Sequence, residues 1–568
     1  MPEKPLKLAK LKPIVEAGGK LYEGQDHGQA IHQAQADGQD ISMKDREKEG
    51  KFKTPDGRIL TREEAKKEFN VEHSADMKHK IEIITDEWLA PSLALTLKNE
   101  GCDVSVALKR PTNILKGTIN RIPYAERLEY AKNCDLIIYE DKSGHNESRD
   151  LRASGKSVIG GCELSDKLEL KRAWANKVAK LAGLKVPEMI EVDDFNQIRE
   201  IIKERGGRWV LKQCGKIDEI KGLNFVSKMP DSEDLLDFLP ILEKNWIDGV
   251  KKDFVLQEKV EGYEMAVGSY WNGHEFMKDK DGDEICEENW EHKALMTGNM
   301  GESTGEMFTV LKYEKALNSK LFKETLDKCR EILKHTDFRG DFDVNTIVTE
   351  KGAYFLENTP RLGVPATSGQ LEIHKSSWYS FLKAMADGKQ DSKFDYDPRY
   401  CIVSWLYTKP FPFVNSHKMT ALYESEKPNT MEEICEIISF KMSNSEGILL
   451  NFTKDFTKED WTHIHPDGLR FQDGRLKIAN PDGYVLTASA QDDTVEGAGE
   501  KLVKLFDKIK IPKGFYRNDF SSSNFHKAKE DLTKWGYILP EEEKPKILKT
   551  EKKERVRKQV RAKLKKLI

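Results

Sequence analysis

The chain has no cysteine pair at C-x-x-C spacing; its eight cysteines are scattered along 568 residues. That excludes a zinc-ribbon or disulfide framework and reads as reduced, mostly buried thiols of an intracellular protein. No apolar run has membrane-spanning length, and no signal-peptide h-region stands at the N-terminus. No membrane partner is therefore expected, and a cytoplasmic location is. Charge of one sign is missing too: the net charge is -4, which makes no case for whole-chain nucleic-acid binding. The turn after the strand Ile81-Glu-Ile-Ile-Thr85 lacks a glycine cluster, so no phosphate cradle is expected there.

What is present is a wet globular composition, 38% hydrophobic and 33% charged, enough for several modest cores. The length implies roughly three or four domains. Residues 1–78 form a small polar module. Lys20–Gly24 reads as strand and turn, 27–36 as a helix, and Phe52–Leu60 as two strands about Asp56-Gly57. Thr61-Arg-Glu-Glu64 is a capping box. His27 and His32, five apart, share a helix face poorly and read as solvated or packing residues. From Lys80, strands alternate with helices (81–85, 90–100, 104–108, 134–139, 157–160), the signature of a small parallel sheet.

Further on, a helix is expected over Lys167–Leu184. Trp209-Val-Leu-Lys-Gln213 is a strand carrying Lys212 among apolar neighbours, costly unless an anion meets it. Residues 214–222 read as a phosphate flap or, equally, a charged hairpin tip. Strands follow at 254–260 and 265–270, a loop at Gly298–Met307, and helices at Tyr313–His335 and Ser376–Ala386. Two strands then carry acids: Arg339-Gly-Asp-Phe-Asp-Val-Asn-Thr-Ile-Val348 and Tyr354-Phe-Leu-Glu-Asn-Thr-Pro-Arg361. Two-residue alternation puts Asp341 and Asp343 on one face, and antiparallel pairing can bring Asp343 to Glu357. Paired carboxylates suit Mg2+ shared with nucleotide phosphates. An isolated hairpin of this kind reads better as two solvated acids; the upstream lysines change the balance.

The order of parts (lysine near a helix start, lysine on a strand, Gln257-Glu-Lys-Val260, Gly262-Tyr-Glu264, acid-bearing strands ending Glu-x-x-Pro-Arg) resembles an ATP-grasp ligase. Closer still, the chain resembles the phosphoribosylamine–glycine ligase family over roughly residues 80 to 525. Glu291-His-Lys-Ala294 and Gly301-Glu-Ser-Thr-Gly-Glu-Met307 stand where that family has Asp-His-Lys-Arg and Gly-Pro-Asn-Thr-Gly-Gly-Met. Asp397–Val403, Gly483–Ala488 and Tyr516–Asp519 resemble its C-terminal domain.

The resemblance implies an α/β (α+β) fold: a module over 1–78, a parallel-sheet domain over 79–165, an ATP-grasp core over 166–395, a ligase-type domain over 396–525 and a helical basic tail over 526–568. It implies ATP with Mg2+ or Mn2+ as cofactor, and small-molecule carboxylate and amine substrates. Lys167 and Lys212 would contact phosphates. Glu258, Lys259 and Val260 would hold adenine, and Glu264 the ribose. Asp343 and Glu357 would bind metal, and Arg361 would steady the phosphorylated intermediate. His292, Lys293 and Thr304 to Met307 would line the acceptor side.

Three departures qualify it. Thr359 stands where the family has a metal-binding Asn, leaving Asn358 to substitute through a bulge. The N-terminal phosphate loop is replaced by Thr85-Asp-Glu-Trp88. The Phe-Gly-Asp-Pro-Glu motif is replaced by Leu362-Gly-Val-Pro-Ala366. The implied function is an ATP-dependent carboxylate–amine ligase whose acceptor is not phosphoribosylamine; the alternative is a catalytically degenerate nucleotide-binding scaffold. The first 78 residues resemble small modules of large bacteriophage proteins, which implies a phage-encoded member working in host cytoplasm. Lys544 to Lys566 holds twelve Lys or Arg and two Glu, an amphipathic basic helix that reads as a nucleic-acid contact or a solvated end.

Overall fold

The computed structural model describes residues 12–17, 20–23, 50–53, 58–61, 64, 79–110, 112–142, 144–213, 224–246, 251–412, 431, 445–520 and 523–539. The 27–36 helix with His27 and His32, the 214–222 loop and the basic tail 544–568 lie outside these residues. The chain divides into two compact units, Met1–Lys78 and His79–Ile568. The first holds an antiparallel sheet of β1 (Lys12–Ala17), β2 (Lys20–Glu23), β3 (Gly50–Lys53) and β4 (Ile59–Leu60), in the order β2-β1-β3-β4. Its capping box is formed: Glu64 N–H donates to Thr61 Oγ1 at 3.3 Å, and Thr61 N–H to the Glu64 carboxylate at 2.8 Å.

The second unit opens with a parallel sheet: β5 (Lys80–Thr85), β6 (Asp103–Leu108), β7 (Asn120–Ile122), β8 (Leu136–Tyr139) and β9 (Val158–Ile159), in the order β7-β6-β5-β8-β9. Parallel sheets need cover on both faces. Ile81, Ile83, Val106 and Ile138 pack with Leu93 and Phe381 on one side, and Ile84, Ile137 and Val158 with Leu151 on the other. A second, antiparallel sheet joins β10 (Met189–Val192), β11 (Trp209–Gln213), β12 (Phe225–Val226) and β13 (Phe254–Glu258) in the order β10-β13-β11-β12. Phe195, Ile198, Leu235 and Leu239, from its two helices, fill its core.

The third sheet carries the acids. It runs β18 (Gly352–Thr359), β17 (Gly340–Thr349), β14 (Tyr263–Trp271), β15 (Ile285–Met296) and β16 (Met300–Lys315), and continues through Tyr400–Tyr407, Tyr484–Asp492 and Ile464–His465. Three strands from beyond residue 396 thus extend the same sheet. Among the described residues no helix is long and apolar enough to cross a membrane, and the six described cysteines are buried free thiols.

Three expected elements are corrected. Tyr313 lies in β16, and the expected 313–335 helix is two helices, Lys320–Glu324 and Leu326–Leu333. Ser319 caps the first through Phe322 N–H at 2.9 Å, and Thr325 leaves helical geometry at φ -126° and ψ -86°. The 167–184 helix is likewise two, Glu163–Leu170 and Arg172–Ala182, broken at Lys171 with φ -119° and ψ 75°. The 298–307 loop is mostly strand: β15 and β16 pair to the hairpin tip, Met296 opposite Met300, with two register shifts. Cross-strand pairing there outweighs the glycines that signalled a loop.

Arg517 pins this hairpin. It is 2% exposed and pairs with Asp519 at 2.6 Å. It donates to the Ala294 carbonyl at 2.9 Å and to Asn299 Oδ1 at 3.0 Å, and its guanidinium lies 5.0 Å from the Phe308 ring. Breaking such a buried pair costs roughly 3–5 kcal/mol, because the partner charge is left uncompensated. Arg517→Ala is expected to lose stability of that order in urea denaturation, and a loss under about 1 kcal/mol would show the hairpin is held otherwise.

Candidate functional site

The hairpin β17–β18 is not regular. From its turn, Thr349 pairs with Gly352, Val348 with Ala353, Ile347 with Tyr354 and Thr346 with Phe355. The next pair is Asn345 with Glu357, then Val344 with Asn358 and Asp343 with Thr359. Leu356 is the extra residue, a β-bulge. Directly opposed residues in an antiparallel pair share a face, and a shift of one residue changes the face. Without the bulge Glu357 would stand across from Val344, on the apolar side. With it, Glu357 and Thr359 join Asp341, Asp343 and Asn345.

The same face continues across the sheet. Gly268 pairs with Asp343 and Ala266 with Asn345, which puts Glu264 in the same row. Glu287 pairs with Gly268 and Asn289 with Ala266, so Glu287 and Glu291 belong to this face. Gly268 is required by the close approach: a Cβ there would lie 2.0 Å from Asp343 Oδ1.

Three cations meet the outer acids. Arg172, in the first turn of its helix, places Nη1 3.5 Å from Glu357 Oε2. Lys293 Nζ lies 2.5 Å from Glu264 and 2.7 Å from Glu291. Lys212, on β11 of the second sheet, senses Arg172, Glu357, Lys293 and Glu264. Burial first, then Arg172, pulls its ammonium down to about 8, while Glu357 opposes them. Burial would raise the Glu357 acid, but Lys293, Arg172, Lys212 and Arg361 together hold it below the usual range, so it is ionised. Asn345 donates its amide to Glu291 at 2.8 Å.

Deeper in the face the balance reverses. Burial, then Glu287, pushes Asp341 up to about 7. Burial, then Asp341, Glu287 and Glu291, pushes Asp343 well up. Gln370 bridges Glu287 and Asp341. These acids share protons rather than holding full charges. Asp343 Oδ1 is buried with no hydrogen-bond partner among the described residues.

The expected residues fall as follows. Lys212, Glu264, Lys293 and Glu357 come together, and Arg361 stands beside them, its Nε 3.1 Å from Glu169. Thr304 lines this side through its hydroxyl, which donates to the Lys293 carbonyl at 2.8 Å. Asp343 is on the same face but one step deeper, and Asn345 is the residue directly across from Glu357. Glu258 is exposed at the end of β13, and its N–H donates to the Glu188 carbonyl at 2.9 Å. Lys259 N–H donates to Arg208 at 2.9 Å. With half-buried Val260, they link the second sheet to the third.

Three expected residues stand apart from this cluster. Lys167 is half-buried and pairs with Glu163 at 2.7 Å, one turn away on its own helix; Arg172 reaches Glu357 instead, because the helix breaks between them. Asn358 does not substitute through the bulge. The register turns it to the other face, where its amide lies 3.5 Å from the Asp343 carbonyl. His292 alternates away from Glu291 and Lys293. It stacks on Phe308 at 4.0 Å, and burial pushes it down to about 4, leaving a neutral packing ring. Arg172, Asn345, Glu291 and Glu287 were not picked out from sequence.

The residues present suit Mg2+ of the kind shared with phosphates: an ionised Glu357 flanked by the Thr359 hydroxyl and the Asn345 amide. Among the described residues no three His, Cys, Asp or Glu side chains are grouped to hold an ion by themselves. Mg2+ ordinarily takes one or two carboxylates plus substrate oxygens.

A family model, Phosphoribosylglycinamide synthetase, ATP-grasp (A) domain, matches residues 170–367, the span that holds these groups. The crystal structure of phosphoribosylamine–glycine ligase from Thermotoga maritima superposes with TM-score 0.56 at 18% identity, covering 78% of this chain and 99% of that one. The fold is ATP-grasp. Other ATP-grasp relatives agree. The biotin carboxylase domain of Hydrogenobacter thermophilus 2-oxoglutarate carboxylase, solved with MgADP, ADP and bicarbonate, has TM-score 0.51 at 14% identity, covering 82% of this chain and 100% of that one. In sequence, phosphoribosylamine–glycine ligase of Clostridium acetobutylicum is 23% identical over 415 residues, 70% of this chain and 87% of the relative. This ATP-grasp chain therefore resembles phosphoribosylamine–glycine ligases over its second unit.

The electrostatic pattern is checkable without a ligand. In lysine-selective NMR, Lys212 should titrate near pH 8. Glu357→Gln should lower that midpoint, and Arg172→Ala should raise it. A midpoint unmoved by both changes would mean the three groups do not share one cleft.

Proposed function

We propose that the chain is an ATP-dependent carboxylate–amine ligase, forming an amide through an acyl phosphate. One observation carries the reading: Arg172 and Lys212, from separate elements, converge with Lys293 on the ionised Glu357, on the polar face of an ATP-grasp sheet. Arg172 and Lys212 are placed to offset triphosphate charge, and pre-aimed cations lower the cost of developing charge on a transferred phosphoryl group. Phosphate would restore charge to Lys212 by raising its pKa. Bound Mg2+ would neutralise phosphate oxygens from the Glu357 side. The strand end Glu258–Val260 would seat the base, and Glu264, already paired to Lys293, the ribose. Arg361 would steady the acyl phosphate, and Lys293 with Thr304 would face the acceptor.

The proposed steps balance. A carboxylate oxygen attacks the γ-phosphorus and ADP leaves. The amine nitrogen attacks the acyl carbon, the C–O bond to phosphate breaks, and the nitrogen's proton leaves with phosphate or solvent. The names of the sequence relatives support a C–N ligase, and the missing N-terminal phosphate loop argues for an acceptor other than phosphoribosylamine.

A second reading, nucleotide binding without turnover, draws support from Thr359 and Asn345, neutral groups beside the single ionised Glu357. Amine-stimulated ADP release across carboxylate and amine panels separates the two. Lys212→Ala and Glu357→Gln should abolish it. Arg172→Ala should weaken nucleotide binding about tenfold or more, the scale of one lost charge-assisted contact. Lys167→Ala should leave both unchanged. Nucleotide binding with no ADP release under any panel favours the second reading, and release that survives Lys212→Ala and Glu357→Gln contradicts the first.

A further inference from the structure

The parallel sheet changes direction between β5 and β8: the chain moves out through β6 and β7 on one side and through β9 on the other. In open parallel sheets the crevice at the strand carboxyl ends, at such a switch point, is the ordinary ligand position. The helix after the first strand offers its N–H groups to an anion there. In this chain those donors are already spent. Leu89 N–H at 2.9 Å and Ala90 N–H at 2.6 Å both donate to the carboxylate of Glu140, the residue that follows β8. Asp86 N–H donates to Asp141, and Trp88 N–H to Thr85 Oγ1 at 2.9 Å. The helix then starts with Pro91, which has no N–H. Ser92 N–H donates to Asp467 at 3.0 Å, and Leu93 N–H to the Ala90 carbonyl at 3.1 Å.

Glu140 is 1% exposed, so it is a seated group and not a surface acid swung inward. The cations beside the turn are tied as well, Lys109 to Asp86 at 2.7 Å and Arg110 to Glu87. The crevice adjoins the proposed active site. Leu362 and Ala366, just beyond Arg361, pack in the same core as Trp88 and Ala90. Glu169, which holds Arg361, lies 3.8 Å from Lys142.

We propose that Glu140 determines specificity in this crevice: an internal carboxylate sits where a substrate phosphate would bind, so the molecule entering here carries no phosphoryl group at this end. That this molecule is the amine acceptor rests on the ligase reading; the seat of Glu140 does not. A phosphate arriving at the turn would have to displace a buried carboxylate from the Leu89 and Ala90 N–H groups and would meet Asp86 and Asp141.

The test uses the full chain without nucleotide, with inorganic phosphate and ribose 5-phosphate as probes. It is run at pH 8, above the value of about 7 to which burial pushes Glu140. Glu140→Gln keeps the seat filled, with one oxygen for one of the two N–H groups and an amide NH2 against the other; Glu140→Gly vacates both. Melting temperatures of the wild type and Glu140→Gln should respond alike to each probe, through the Arg172–Lys212 mouth alone, whereas Glu140→Gly should melt lower and regain several degrees more than the wild type with phosphate, as binding to the folded state requires. A folded Glu140→Gly that gains no more than the wild type with either probe overturns the proposal. So does sub-millimolar binding of ribose 5-phosphate by calorimetry that persists with Glu140 in place once Arg172→Ala and Lys212→Ala have emptied that mouth. Because no nucleotide is present, failure of the ligase reading shows up separately, as absent amine-stimulated ADP release.

Discussion

The site depends on one inserted residue. Leu356 lengthens β18 by one position relative to β17, and every residue after it changes face. Glu357 thereby leaves the apolar side, where its charge would be unpaired and costly, and enters a row with Asp343, Asn345 and Glu264. A bulge is the usual means of re-aiming a side chain near a functional site. All the cations then have something to converge on: Arg172 from the helix beside the sheet, Lys212 from the second sheet, Lys293 from β15.

Charge is graded along this face. At the open end Arg172, Lys212 and Lys293 face Glu357, Glu264 and Glu291, and a unit charge pair at about 4 Å is worth about 4 kcal/mol at the effective dielectric near a protein surface. Glu357 stays charged there against its burial. Deeper on the face, Glu287, Asp341 and Asp343 have one another, Gln370 and, at Glu287, the Asn289 amide at 3.0 Å, and burial raises all three. Burial and mutual repulsion favour the protonated form of the inner acids; the outer ones belong to an anion-accepting mouth. That division favours a triphosphate at the open end over a cation held deep between carboxylates.

Much of this was legible in the sequence. Apolar runs marked β5, β6, β8, β11, β13 and the two acid-bearing strands, while β15 and β16 were missed, and Lys212 stood out as a charge in an apolar run. Glu264, Lys293 and Glu357 followed from the order of motifs. What the sequence hid was register. Nothing in Phe355-Leu-Glu357 announces a bulge, so Asp343 was paired with Glu357 where Asn345 belongs, and Asn358 was kept as a ligand. The helix break at Lys171 carries neither Gly nor Pro, so Lys167 was chosen over Arg172. Alternation could have warned about His292, since neighbours in a strand face opposite ways. The thin glycine content after β5 coincides with a turn whose Leu89 and Ala90 N–H groups donate to Glu140.

The account turns on where the phosphates and the metal sit. A crystal structure with a non-hydrolysable ATP analogue and Mn2+, phased on the manganese anomalous signal, addresses both at once. The predicted result is a manganese peak bonded to a Glu357 oxygen, with the terminal phosphates within hydrogen-bond reach of Arg172 and Lys212. Manganese or phosphates bound away from the β17–β18 hairpin, with Arg172 and Lys212 untouched, would contradict it.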